Sequence, residues 1–290
     1  MATGITKTST LTDTIPTIIE KARMTEQFKS VMAPLCWQIP KKLHDGSTVN
    51  VPYFGTVTAS ALTEGVDMAY PQAMADTTVT ITPAEVGCQI LVTDKLVRDD
   101  KEDIIGVAGE ILGAAMAVKR DVDLTTQLDD GTTSLGSGST MTLGYIAAAH
   151  ALLGGLAVTS GGPCPGPYTY IVHPYTYLDF VDVVTPLVPS TSVAYATPMS
   201  DEWIANYWKG KLFNINIVED GNLVIASSNT KGGVIGPRSL ILSTAKEWGV
   251  EEERDASLRA TELNIVGEYG CGEYLAGWIV EMYADTTTPG

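Results

Sequence analysis

Between Asp45 and Thr82 two short alternating runs enclose a long polar insert, and this arrangement restricts what the chain can become. The runs are Ser47-Thr48-Val49-Asn50-Val51-Pro52-Tyr53 and Thr78-Val79-Thr80-Ile81-Thr82. Alternation of β-branched and polar residues predicts strands, and Asp45-Gly46 supplies a turn before the first. The insert GTVTASALTEGVDMAYPQAMAD, punctuated by Gly55, Gly65 and Pro71, predicts a long hairpin that is too polar on both faces to bury itself. A two-stranded ribbon alone is marginal in water, so this one is expected to rest on another chain.

The flanking segments fit the same picture. Residues 1–12 are rich in Thr and Ser, a composition that builds no core. From Asp13 to Met32 the pattern turns helical, with Ile18, Ile19, Ala22, Phe28 and Val31 on one face and Pro16 near the start. The prolines of APLCWQIPKK (33–42) end it. An arm with no core of its own must lie on its own body or on a neighbour.

After the ribbon comes the clearest helix. Asp99 or Asp100 can cap it, and Glu102 and Asp103 suit the positive end of its dipole. Ile104, Ala108, Ile111, Ala115, Val118 and Val122 then recur at helical spacing. The helix is expected to run to about Leu128, where Asp129-Asp130-Gly131 stops it. Gly106, Gly109 and Gly113 each cost about 1 kcal/mol against Ala and read as places for close approach.

Residues 131–140, GTTSLGSGST, read as a flexible connection. Beyond them helices and strands alternate: a helix over Leu143–Leu156, a tight loop at 161–167, a strand over Tyr168–Val172 and a helix opened by Pro174. A helix over Ser200–Trp208 leads to strands over Leu212–Val218, Asn222–Ser227 and Gly233–Leu242. Thr261–Tyr269 and Tyr274–Tyr283 complete the strands. The fold class is α+β, with no internal repeat.

Composition excludes some functions. Charged residues are only 18% beside 44% hydrophobic ones, below the usual quarter of a soluble domain. Neighbouring subunits are the simplest cover for such a surface. The net charge of −16, from 34 acidic and 18 basic residues, repels phosphate backbones and argues against direct nucleic-acid recognition. Such an acidic wall would let DNA slide inside a container without sticking. MATGITKTSTLTDT has no signal-peptide core, and Ile104–Val118 is too short to span a bilayer. The expectation is a soluble protein made in the cytoplasm, with no membrane partner.

Catalytic patterns are missing. His44, His150 and His173 share no ligand spacing. Cys36, Cys88, Cys164 and Cys271 form no C-x-x-C and read as free thiols. Neither a phosphate-cradling glycine loop nor a G-x-S-x-G elbow occurs. Ser243-Thr244-Ala245-Lys246 fits S-x-x-K, but no S-D-N or K-T-G follows it. Glu251-Glu252-Glu253 reads as a solvated or interface patch, since consecutive carboxylates rarely converge on one ion. No catalytic residue, cofactor or metal is expected.

The order of parts resembles the major capsid proteins of tailed bacteriophages, whose fold is shared with encapsulin shells. DGSTVNVPYFGTVTASALTEGVDM (45–68) looks like the start of that family's extended loop. TVTITPAEVGCQILVTDKLVRDD (78–100) looks like the strand returning into its peripheral domain, and the helix from about 100 to 128 is similar to its spine helix. YTYIVHPYTYLDFVD (168–182) and KGKLFNINIVED (209–220) resemble axial-domain elements, and TELNIVGEYGCGEY (261–274) the closing peripheral strands.

The resemblance implies an N-terminal arm over 1–43, an extended β-hairpin loop over 44–76 and a first part of the peripheral domain with the spine helix over 77–135. A mixed α/β axial domain over 136–243 and return strands of the peripheral β-sheet over 244–290 follow. It implies a virion capsid subunit that self-assembles as pentamers and hexamers into an icosahedral shell enclosing double-stranded DNA. A separate scaffolding protein or none, a portal and decoration proteins are the partners to expect. The expected intersubunit contacts are Phe28 and Trp37 on the arm and Thr56, Thr58, Leu62, Glu64 and Asp67 on the loop. Arg254 and Arg259 are expected to meet carboxylates across a subunit boundary.

Two departures matter. No Lys lies between His44 and Asp94, so the isopeptide crosslink of some members is not expected. The spine helix begins only about 100 residues in, leaving no room for a long built-in scaffolding segment. The rival readings are an encapsulin shell, a soluble α/β enzyme, and a tail or decoration protein with more strand and no spine helix.

Overall fold

The computed structural model describes residues 5–6, 30–42, 46–67, 72–99, 104–157, 161–184 and 211–288. Phe28, His44, the caps at 100–103 and the helix expected over Ser200–Trp208 lie outside them, as does most of the helix expected over Asp13–Met32.

The chain opens with β1 (Ile5–Thr6), then a 3-10 turn (Ala33–Leu35) and β2 (Trp37–Gln38). β3 (Val49–Phe54), β4 (Asp76–Ile81) and β5 (Ala84–Thr93) follow, then α1 (Asp94–Asp99) and the long α2 (Ile104–Thr126). Next come β6 (Thr133–Ser139), α3 (Leu143–Gly154), β7 (Tyr168–Val172) and α4 (Pro174–Val184). β8 (Lys211–Leu212), β9 (Ile215–Glu219), β10 (Ile225–Ala226) and β11 (Asn229–Ile235) lead to β12 (Leu240–Asp255), β13 (Ala260–Glu273) and β14 (Ile279–Asp285).

These strands form two sheets and a ribbon. The smaller sheet has the order β1-β5-β13-β12-β2, and the larger has β6-β14-β11-β7-β9-β8 with β10 hairpinned onto β11. β3 and β4 pair only with each other, in the register Val51↔Val79.

Helix α2 covers one face of the smaller sheet. Its Ala108, Leu112 and Met116 pack with Leu263 and Ile265 of β13 and Val92 of β5. This buried stripe is one step round from the sequence expectation: Ile111 is exposed. The helix is apolar on most sides, so periodicity admits two faces and the sheet chooses between them. The glycines also differ from expectation, because a Cβ at Gly109 or Gly113 would meet nothing within 4 Å.

The larger sheet is covered on both faces, which explains why β7 is buried at every position but Thr169. Tyr168, Tyr170 and Val172 face a core with Ile146 and Leu153 of α3 and Tyr177 of α4. Ile171 faces the other way, into a core with Leu124 of α2, Leu128 just past its end, Leu240 and Leu242 of β12, and Met32. That second core joins the two sheets to the segment before β2.

Four sequence expectations change. Residues 131–140 hold strand β6, which pairs in parallel with β14 and packs Leu135 on the core. Gly136 makes this possible: it has φ 97, and a Cβ there would fall 2.4 Å from the Tyr283 carbonyl oxygen. The run Gly233–Leu242 is the end of β11 and the start of β12, in different sheets, split by a turn in which Ser239 N–H donates to the Gly236 carbonyl. Pro237 offers no N–H to continue a ladder there. Tyr274–Tyr283 is broken by a 3-10 turn at Ala276–Trp278, and Asn222–Ser227 shrinks to β10. β14, the last strand, belongs to the larger sheet.

Candidate assembly surfaces

The ribbon is anchored at its root and bare beyond it. Val51 and Ile81 are buried with Ile241 of β12, and Trp37, Val49, Val79 and Tyr274 pack around them. Two residues without side chains let the ribbon cross the smaller sheet this closely: a Cβ at Gly270 would lie 2.9 Å from Ile81 and one at Gly272 would lie 3.3 Å from it.

Past the root every described residue from 54 to 67 and from 72 to 78 is exposed. Phe54, Val57, Leu62, Val66 and Met74 are between 60% and 71% exposed. The loop still has internal order. Gly55 N–H donates to the Ala75 carbonyl at 2.8 Å. The Gln72 side chain accepts from Thr58 N–H at 2.8 Å and donates to the Thr58 carbonyl at 2.7 Å, replacing a rung of ladder. Thr58, Leu62, Glu64 and Asp67 all lie on this bare part, and Thr56 lines an open groove of about 800 Å³ with Phe54, Tyr274 and Trp278.

Trp37 sits elsewhere. It is half-buried, with the Tyr274 ring edge-on at 5.5 Å and the Arg238 guanidinium 5.3 Å over its face. Its contacts in the single chain hold the ribbon root. Tyr274 also meets Tyr53 edge-on at 5.8 Å. The sequence reading singled out neither Tyr274 nor Arg238, since their partner lies some two hundred residues away and no local pattern marks them.

Arg254 and Arg259 come together at the far end of β12–β13. Arg254 forms a two-pronged ion pair with Asp94 at 2.6 and 2.7 Å. The Arg254 hydrogen bond holds the Asp94 carboxyl below its ordinary range, and Asp94 raises Arg254 in return. Arg259 takes the left-handed conformation at φ 53, and its carbonyl accepts from Asp94 N–H at 2.9 Å. Asp255 closes the turn by accepting from Ser257 and Leu258. Glu251, Glu252 and Glu253 are exposed along the same strand.

The groups that might have carried chemistry are placed for structure. Ser243 is fully buried and its hydroxyl has no hydrogen-bond partner among the described residues, while Lys246 turns to Glu251 at 3.7 Å. His173 is buried, and burial keeps it below its ordinary value; its Nδ1 accepts from Tyr175 N–H at 3.2 Å. His150 lies edge-on to Tyr168 at 5.3 Å. All four cysteines are free thiols. Burial pushes Cys36 and Cys164 up to about 12 and Cys271 to about 11, far from thiolate nucleophiles at neutral pH. Among the described residues no group of His, Cys, Asp and Glu is arranged to hold a metal, and no helix is long and apolar enough to cross a membrane.

No protein-family model matches the sequence, and no curated protein does. Solved structures match nearly end to end. A chain from Mycobacterium phage Che8 superposes with a TM-score of 0.70 at 17% identity, over 92% of this chain and 96% of that one. A chain from the head of Helicobacter pylori bacteriophage KHP40 gives a TM-score of 0.73 at 11% identity, over 97% and 99%. This is the tailed-phage capsid fold. A chain from the capsid of a native GTA particle shares it, with a TM-score of 0.65 at 11% identity over 93% and 94%. At such identities the tailed-phage capsid fold preserves topology and burial, not particular side chains.

Proposed function

We propose that this chain is a non-enzymatic capsid subunit that assembles with copies of itself, as pentamers and hexamers, into an icosahedral shell enclosing double-stranded DNA. The single observation that carries this is the end-to-end match to chains of a phage head and of a GTA capsid. The bare ribbon adds support, since five large apolar side chains in one exposed loop are a surface in need of a partner. In this reading residues 1–43 are the arm, 44–76 the extended loop and α2 the spine helix, and the protein resides in the virion. Thr56, Thr58, Leu62, Glu64 and Asp67 lie over an adjacent subunit. Many moderate interfaces of this kind close a shell when their rotations do. A separate scaffolding protein, a portal and decoration proteins complete the set of partners. DNA is held by enclosure, as a net charge of −16 favours no phosphate contact.

Negative-stain electron microscopy of the purified protein, alone and with a scaffold candidate, tests the proposal. Closed shells, or pentamers and hexamers, are expected. A monodisperse monomer or dimer under both conditions would refute it.

A further inference from the structure

Asp121 of α2 is completely buried. Its Oδ1 accepts hydrogen bonds from Ser30 Oγ at 2.8 Å, Val31 N–H at 3.0 Å and Met32 N–H at 2.9 Å. Its Oδ2 accepts from Asn222 Nδ2 at 2.8 Å. The first three donors belong to the segment that enters β2, and the fourth follows β9. One carboxylate therefore ties that segment to the long helix and to the larger sheet.

Asp220 is a second carboxyl in the same place, 1% exposed. Its Oδ1 accepts from Asn222 N–H at 2.8 Å, and its Oδ2 has no hydrogen-bond partner among the described residues. Asn222 bridges the two acids, donating its backbone N–H to Asp220 and its side-chain amide to Asp121. Two ionised carboxylates only accept, so a proton on one of them is what would let this pair hydrogen-bond. Four donors converge on Asp121, which leaves the proton to Asp220. There it turns an orphaned acceptor into the donor that the geometry lacks.

We infer that the proton shared by Asp220 and Asp121 is a latch on residues 30–36: while it is present the segment stays clamped to α2, and its loss sets two like charges side by side in a buried site and loosens the segment's hold on the helix. The surroundings offer no substitute for it. Among the described residues neither carboxylate has a salt-bridge partner. Arg120, next to Asp121 on α2, is stacked 4.2 Å over Trp248. Cys36 from the segment and Cys271 from β13 are neutral thiols, raised by burial. Tyr269 of β13 donates to Asp123 of α2, which also holds Lys119. His173, one residue past the Val172 carbonyl that accepts from Asp220 N–H, is held below its ordinary value by burial.

Burial pushes the Asp220 carboxyl up to about 7, with Asn222 N–H pulling it down and Asp121 pushing it further up. A released Asp220 would titrate near 4, as a free aspartate does. The clamped state therefore holds a proton that the released state gives up between about 4 and about 7. The clamp is strongest below that window, weakens through it by up to about tenfold per pH unit, and levels off above it. The latch belongs to the single chain, so it stands or falls apart from the shell reading.

Hydrogen exchange of the purified full chain from pH 5 to pH 9, corrected for the intrinsic pH dependence of exchange, tests it at the amides of Val31 and Met32. Protection is expected to fall by up to about tenfold per pH unit to about pH 7 and then to stay level. In Asp220→Asn the side-chain amide donates to Asp121 with no proton to lose, and protection becomes independent of pH. A flat profile in the native chain overturns the latch, and so does a native slope retained in Asp220→Asn. If that variant fails to fold, the native profile decides alone: the slope supports the latch, and its absence refutes it.

Discussion

The β12–β13 hairpin and the β3–β4 ribbon are both antiparallel excursions, and only the first finds cover in its own chain. Along β13, Leu263 and Ile265 turn inward beneath Leu112 and Met116 of α2. Along the ribbon, Val51 and Ile81 reach the body and every described residue from 54 to 67 and from 72 to 78 is bare. β13 alternates as the ribbon strands do, so alternation does not separate them. What separates them is the presence of a third element. A chain can write a strand pair and leave its covering to another molecule, and the uncovered pair then marks where assembly energy is to be sought.

Mutations at the covered end, the joint and the bare end should give sharply different losses of subunit stability. Leu112→Ala empties the fully covered site and is expected to cost about 2–5 kcal/mol in denaturant unfolding of the unassembled subunit. A loss under about 1 kcal/mol would show that α2 covers the hairpin only loosely. At the joint, Gly270→Ala places a methyl against Ile81 and Pro83, for an expected cost of about 1–3 kcal/mol. Faster hydrogen exchange should be confined to β3 and β4; exchange spreading through β5 would mean that ribbon and sheet open together. At the bare end, replacing Val57, Leu62, Val66 and Met74 by Ser should change subunit stability by less than about 0.5 kcal/mol, as exposed sites usually do, and yet reduce the yield of closed particles in electron micrographs. Normal particle yield would mean that these side chains meet nothing in the assembled state.

The parts of the fold that were legible in the sequence are those where one local rule is enough. The ribbon strands, α2, α3, β7 and the helix opened by Pro174 follow from alternation, helical periodicity or proline placement. The parts that were not legible depend on partners far along the chain. β6 looks like linker because its glycines suit a turn, and only the Tyr283 backbone beside Gly136 makes a strand of it. β12 carries three consecutive glutamates, and its register with β13 shifts around Lys246, so its alternation is lost. The loop residues of the candidate site could be placed from exposure alone. Trp37 was visible as a large apolar residue on an arm, but its neighbours Arg238 and Tyr274 were not. Asp121 was hidden in a helix read for its apolar face, where an acid close to the buried stripe was the one available sign of an anchor.

The place of β14 bears on how the chain is made. It stands between β6 and β11 in the larger sheet, though its residues are synthesised about 140 positions after β6 ends. At translation rates of about 5–20 residues per second, β6 waits roughly 7 to 30 seconds beside the ribosome with no strand to pair with. Until residue 285 has emerged, the larger sheet lacks the strand that joins its edge to its middle. A nascent subunit is therefore unfinished in a way that a single late strand repairs at once, so the state that can meet other copies arises only after that strand has left the tunnel.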